Sequence, residues 1–132
     1  MKIVLVEPQH PGNVGAVARA MANFAVEDLA LVKGCKIDDD GYARSKSGKS
    51  ILENLRRFDN LEAALADCDV AIGTSGIKPE GDKRWFRVPK NVKELPDIIK
   101  EREKPALVFG RENYGLYREE LAMCEVTITI PT

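Results

Sequence analysis

The sequence contains no apolar run near the ~20 residues that a membrane-crossing helix needs. The strand-like Ile3-Val4-Leu5-Val6 after Met1-Lys2 is too short for a secretory signal, so the chain reads as a cytoplasmic protein. Only three cysteines occur, Cys35, Cys68 and Cys124, with no C-x-x-C pair. An odd, scattered set excludes a disulfide framework and a zinc finger and reads as part-buried thiols. His10 is the sole histidine. No metal site and no Ser–His–Asp arrangement can be assembled around it at ligand or triad spacing. Charge of one sign is also lacking: the net charge is −1, which excludes a generic polyanion binder. The nucleotide signatures G-x-G-x-x-G and G-x-x-x-x-G-K-[ST] are missing as well.

What is present is ordinary globular composition, 44% hydrophobic and 31% charged over 132 residues, enough for one domain with its own core. Apolar runs alternate with helical patterns. Strands are predicted over Lys2–Glu7, Asp28–Val32, Asp69–Thr74, Ala106–Phe109 and Val126–Ile130. Helices are predicted over Asn13–Ala25, Asn60–Asp67, Asn91–Glu103 and Arg118–Cys124. Within Ile37–Asp59 one or two helical turns and a short strand near Arg56–Phe58 are expected, and either Asn91 or Pro96 opens the fourth helix. Nearly all-apolar strands separated by helices predict an α/β domain: a mainly parallel sheet of five or six strands with helices on both faces. Ligands of such sheets sit beyond the carboxyl ends of the strands, here Pro8–Gly15, Gly73–Phe86 and Gly110–Leu116.

Pro11-Gly12-Asn13-Val14-Gly15 runs into a helix whose Val14, Val17, Ala18, Met21, Phe24 and Ala25 fall on one stripe facing the sheet. Arg19 lies off that stripe. Helical side chains lean toward the N-terminus, so Arg19 reaches back over Gly15 and Ala16 toward free backbone N–H groups that favour an anion. The plainer alternative is a surface arginine with Asn13 as the helix cap. Gly110-Arg111-Glu112-Asn113-Tyr114-Gly115 empties from a buried strand, with Glu112 at the mouth of the sheet; an ordinary turn with solvated Arg111 and Glu112 is the alternative. Thr74-Ser75-Gly76 follows another strand and opens a stretch with Trp85, Phe86 and five basic residues from Lys83 to Lys93. A second basic stretch, Arg44 to Arg57, holds five basic residues against one acid, Glu53. Both stretches suit phosphates, or are solvated surface.

The order and spacing of three segments resemble the SPOUT superfamily of RNA methyltransferases, and more closely its TrmJ branch of tRNA 2′-O-ribose methyltransferases. They are Pro11-Gly12-Asn13-Val14-Gly15-Ala16-Val17-Ala18-Arg19-Ala20-Met21, Ala106–Glu112 with Gly115-Leu116 and Glu119-Glu120-Leu121, and Gly73-Thr74-Ser75. The resemblance implies an α/β fold tied in a trefoil knot, S-adenosyl-L-methionine as cofactor, and a homodimer acting on tRNA without membrane or metal. The target it implies is the ribose of a cytidine or uridine opening the anticodon loop. It implies Arg19, Asn13 and Glu112 as catalytic residues. For the cofactor it implies Thr74, Ser75, Gly76, Gly110, Leu116 and Ile130. Lys83, Arg84 and Arg87 are expected to meet RNA. The family's third motif should follow the last strand, yet the sequence ends at Ile130-Pro131-Thr132. The expectation is therefore a piece that folds and dimerises but lacks the knot tail, binds cofactor weakly and does not methylate tRNA. Two other readings remain: an RNA-binding relative without turnover, and an unrelated small-molecule nucleotide-binding protein.

Overall fold

The computed structural model describes residues 1–75 and 90–130. The expected Gly76, Lys83, Arg84 and Arg87 contacts lie outside the described residues, as do Trp85 and Phe86. In chain order the elements are β1 (Lys2–Val6), α1 (Pro11–Asn23), β2 (Asp28–Val32), α2 (Asp39–Ser45), α3 (Lys49–Glu53), β3 (Arg56–Phe58), α4 (Leu61–Leu65) and β4 (Val70–Ser75). They continue as β5 (Lys90–Asn91), α5 (Leu95–Ile99), β6 (Pro105–Phe109), α6 (Arg118–Ala122) and β7 (Val126–Thr129). One sheet contains seven strands in the order β3-β2-β1-β6-β4-β7-β5, and every pairing is parallel. Among the described residues no helix is long and apolar enough to cross a membrane.

Side-chain alternation along buried parallel strands sorts the core into two layers. Ile3, Leu5, Leu29 and Leu31 pack under Val14, Ala18 and Met21 of α1 and Ile51 and Leu52 of α3. Val4, Val6, Ala30 and Val32 face the other way, against Leu61 and Ala64 of α4 and Leu121 of α6. Toward the far edge, Val70, Ile72 and Ile128 pack against Leu95, Ile98 and Ile99 of α5. The expected layers are thus present, and the sheet has one strand more than the five or six expected.

Several boundaries differ, each for a local reason. α1 begins at Pro11 rather than Asn13, because the fixed φ of proline is pre-organised for the first helical position. The helix ends at Asn23, where Ala25 adopts a left-handed φ of 57° and turns the chain toward β2. Phe24, assigned to the buried stripe, is consequently 80% exposed, and Ala25 is exposed too. The fourth predicted helix is shorter than expected. Asn91 ends β5 and caps a 3₁₀ turn over Val92–Glu94, accepting from Lys93 N while Glu94 accepts from Asn91 N. Pro96 then sits in the first turn of α5, so both alternatives for that start are realised.

At the amino ends of the strands a lysine is fully buried. Lys2 Nζ donates to Ala64 O at 2.8 Å and to Asp67 Oδ1 at 2.6 Å, and stands 5.5 Å from the centre of the Phe58 ring. Asp67 Oδ2 accepts from Lys104 Nζ at 2.5 Å. Lys104 first, then Lys2, hold the Asp67 carboxyl well below the usual carboxylate range. The clasp ties β1, the end of α4 and the start of β6 on the side away from the candidate site.

Because a depressed carboxyl favours the folded state only while ionised, this contribution should be complete at neutral pH and fade as pH falls below the ordinary aspartate range. Asp67→Asn should cost about 2–3 kcal/mol at neutral pH, since it leaves a buried ammonium half-satisfied, and Lys2→Met should cost less. Thermal melts of the two variants between neutral and acid pH check both statements; a Lys2→Met penalty larger than that of Asp67→Asn contradicts them.

Candidate functional site

The carboxyl ends of β1, β6, β4 and β7 lie side by side in the sheet order. They bring together the β1–α1 loop, the loop after β6, Ser75 and Ile130. Ile130 N donates to Ser75 O at 2.7 Å, joining the last two. The first three lie in the segments that position alone marked in the sequence; Ile130 was expected only from the family resemblance.

α1 starts with no side-chain cap of its own. Its N-terminal turn is met instead by Glu112, about a hundred residues later in the chain. The Glu112 carboxylate accepts from Gln9 N at 3.0 Å, from His10 N at 2.9 Å and, at 3.5 Å, from Asn13 Nδ2. Negative charge here is doubly favoured, by the free N–H groups and by the helix dipole. Partial burial pushes the Glu112 carboxyl up, but the donors from Gln9, its own backbone, His10 and Asn13 together outweigh it and leave it below its ordinary value. The anion expected at this end of α1 is therefore supplied by the chain itself, and Asn13 stands at the third helical position rather than at the cap.

Arg111 is not the solvated residue of the plainer sequence reading. It is 7% exposed, and its guanidinium donates to Glu120 Oε1 and Oε2 at 2.9 and 3.0 Å, to Gly115 O at 3.3 Å, and to Glu7 Oε2. The Tyr117 ring lies against it, with 3.7 Å from guanidinium carbon to ring centre. Glu120, then Glu7, raise its pKa above the usual arginine value against the opposing effect of burial. Glu7 holds its carboxylate there from a left-handed φ of 48°. The loop backbone closes on itself, Arg111 N to Gly115 O at 3.1 Å and Gly115 N to Arg111 O at 2.8 Å. Arg111 thus fixes the loop from beneath while Glu112 ties it sideways to α1.

The sequence reasoning missed Arg111, Glu7, Glu120 and Tyr117. Their one sequence signal, a carboxylate at a strand end and another in the first turn of a helix, is too common to stand out. Thr74, expected at the cofactor, is buried, is paired with Ile128 of β7 and spends its hydroxyl on Val108 O at 2.9 Å. Leu116, also expected there, turns its side chain into the core beside Val4 and Val6. Arg19 is exposed on α1 and has no hydrogen bond or ion pair with any described residue. Between α1 and α5 the sheet carries an uncovered apolar trough of about 630 Å³, floored by Ile3, Leu5, Leu107 and Phe109, with Asn13, Gly110 and Glu112 also on its lining. Among the described residues, no three His, Cys, Asp or Glu side chains converge as metal ligands.

The sequence matches the family described as the SpoU rRNA Methylase family over residues 1–132. It is 38% identical over 135 residues to the tRNA (cytidine-2'-O-)-methyltransferase TrmJ of Methanocaldococcus jannaschii, covering 100% of this chain and 58% of that protein. To the tRNA (cytidine/uridine/adenosine-2'-O-)-methyltransferase TrmJ of Pseudomonas aeruginosa it is 36% identical over 140 residues, covering 100% and 52%. The fold superposes on a probable methylase family protein of Haemophilus influenzae with a TM-score of 0.89 at 35% identity, covering 99% of this chain and 55% of that one. The chain spans about half the length of the curated relatives it matches.

The glycines of the second loop separate crowding from backbone strain. A Cβ on Gly110 would fall 2.0 Å from the Gly115 carbonyl carbon, whereas Gly115, at φ 67°, has open space around it. Gly115→Ala should therefore cost roughly 1–2 kcal/mol, the penalty of a left-handed non-glycine residue. Gly110→Ala should cost more, because backbone must move. Denaturant melts rank the two; equal costs contradict this picture of the loop.

Proposed function

Because the chain belongs to the SpoU rRNA methylase family, we propose that residues 1–132 belong to a SPOUT methyltransferase domain and that the full-length protein methylates a ribose 2′-hydroxyl in tRNA, with S-adenosyl-L-methionine as methyl donor. The target in this reading is a cytidine or uridine at the first position of the anticodon loop. The observation that carries it is the Glu112 bond to the α1 N-terminus, which fixes the loop beyond Gly110 against the helix bearing Asn13 and Arg19, the latter bonded to none of the described residues.

The donor would be held by the strand ends. Gly110 ends β6 on the lining of the apolar trough, and Ser75 and Ile130, joined to each other, end the neighbouring strands, a setting suited to a nucleoside with a small polar tail. When bound, that molecule supplies a methyl group on a positively charged sulfur. The protein's task is then alignment of the ribose oxygen opposite that sulfur, and positioning of this kind is worth ~7–11 kcal/mol.

Arg19 cannot serve as the base, since a guanidinium stays protonated below pH ~12. It holds a neighbouring phosphate and stabilises the alkoxide that develops as the 2′-oxygen attacks. Asn13 turns its amide N–H toward Glu112, an acceptor-only carboxylate, which leaves its Oδ1 as an acceptor for the ribose hydroxyl. The proton then passes to solvent. The reading includes a homodimer, which the uncovered trough beside α1 supports. Sedimentation should report a dimer at micromolar concentration; a monomer throughout removes that part of the proposal.

Isotopic methyl transfer to tRNA by the full-length protein tests the whole. Arg19→Ala should keep the melting temperature and the cofactor affinity but lose at least about 100-fold in turnover, the scale of one lost electrostatic stabiliser. Turnover within a few-fold of the parent would reduce Arg19 to a surface residue.

A further inference from the structure

The sequence singled out a basic stretch from Arg44 to Arg57 that the site described so far does not use. Three of its five cations are engaged: Arg44 with Asp40, Arg56 with Asp28, and Arg57 with the carbonyls of Gly34 and Cys35. Lys46 and Lys49 are not. Both are exposed, and neither forms a hydrogen bond or ion pair with any described residue, a property they share with Arg19.

Their position is set by Gly48. A Cβ there would lie 2.4 Å from both the carbonyl carbon and the oxygen of Ala18 and 2.7 Å from Arg19 N, so the Lys46–Gly48 turn rests backbone to backbone on α1 at Arg19. Lys46 and Lys49, on either side of that contact, are therefore carried to the same flank of the molecule as Arg19. Lys46 also sits at φ 47°, where glycine would be relaxed and a lysine is strained. Side chains kept at such positions concentrate where they are used. Glu7 is the parallel case here, holding Arg111 from a left-handed φ of 48°.

We propose that Lys46 and Lys49 form, with Arg19, a phosphate track along the flank of α1 that grips the RNA strand as it enters the reactive centre. The track rests on the RNA methyltransferase reading and adds to it the surface that receives the strand. Ammonium groups on exposed stems act as point charges: they hold phosphates in register and carry no base information. The contact should show itself in salt dependence, because each phosphate neutralised releases counterions.

The experiment uses the full-length protein and an unmodified tRNA transcript, with binding followed across a series of salt concentrations. The variant is Lys46→Gly with Lys49→Ala. Glycine relieves the strained φ and alanine suits the start of α3, so the fold should hold, with a melting temperature equal to or above that of the parent. The plot of log affinity against log salt should become shallower by roughly 1.4–1.8 units, about 0.7–0.9 for each lost contact. Affinity at roughly 50 mM salt should fall by one to two orders of magnitude, and by a similar factor for every tRNA sequence. Calorimetry should find cofactor affinity unchanged. A parent that binds tRNA steeply with salt, beside a variant of the same slope, overturns the track while leaving the methyltransferase reading intact. Weakened binding without a change of slope overturns it too, since the loss would then not be ionic. A parent that neither binds nor methylates tRNA overturns both.

Discussion

Glu112 reaches from the loop after β6 to the bare N-terminal turn of α1, and the geometry of the candidate site depends on that contact. A carboxylate at a helix N-terminus is worth about 0.3–1 kcal/mol when exposed and up to about 2 when partly buried. It also fixes direction, because the accepted protons come from Gln9 and His10, the residues through which β1 turns into α1. The neighbouring Arg111 points the other way, into Glu7 and Glu120. Two adjacent side chains of opposite charge thus fasten one short loop to both ends of the β1–α1 turn. The loop that would receive a cofactor and the helix that carries Arg19 are held as one unit.

Much of this architecture was legible in the sequence because its causes are local. β2 falls on the predicted residues, and β3 and the helical turns of Ile37–Asp59 appear where weak periodicity placed them. Asn60 caps α4 as its type and position suggest, accepting from Ala63 N at 2.7 Å. The misses have non-local or unadvertised causes. Nothing near Glu112 in the chain indicates that its partners lie at Gln9 and His10, and nothing near Arg111 indicates Glu7. Phe24 was misplaced because Ala25 adopts a left-handed turn that alanine does not announce. β5 was hidden because two residues have no period; only pairing with Ile128 and Thr129 of β7 makes them a strand.

Family membership indicates what reaction to consider; the structure supplies the physical reasons why particular residues suit it. Arg19 is off the core and bonds to none of the described residues, and Asn13 is oriented by Glu112. Arg111, which one of the two sequence readings left solvated, holds the second loop in place.

The direct measurement of the central contact is a proton NMR pH titration of the backbone amides of Gln9 and His10. If Glu112 caps α1 as an ionised carboxylate, both amide shifts should follow one titration with its midpoint below the ordinary glutamate value of about 4.3, and Glu112→Gln should abolish it. Amide shifts that ignore pH in this range, or that titrate at the ordinary value, would contradict the account.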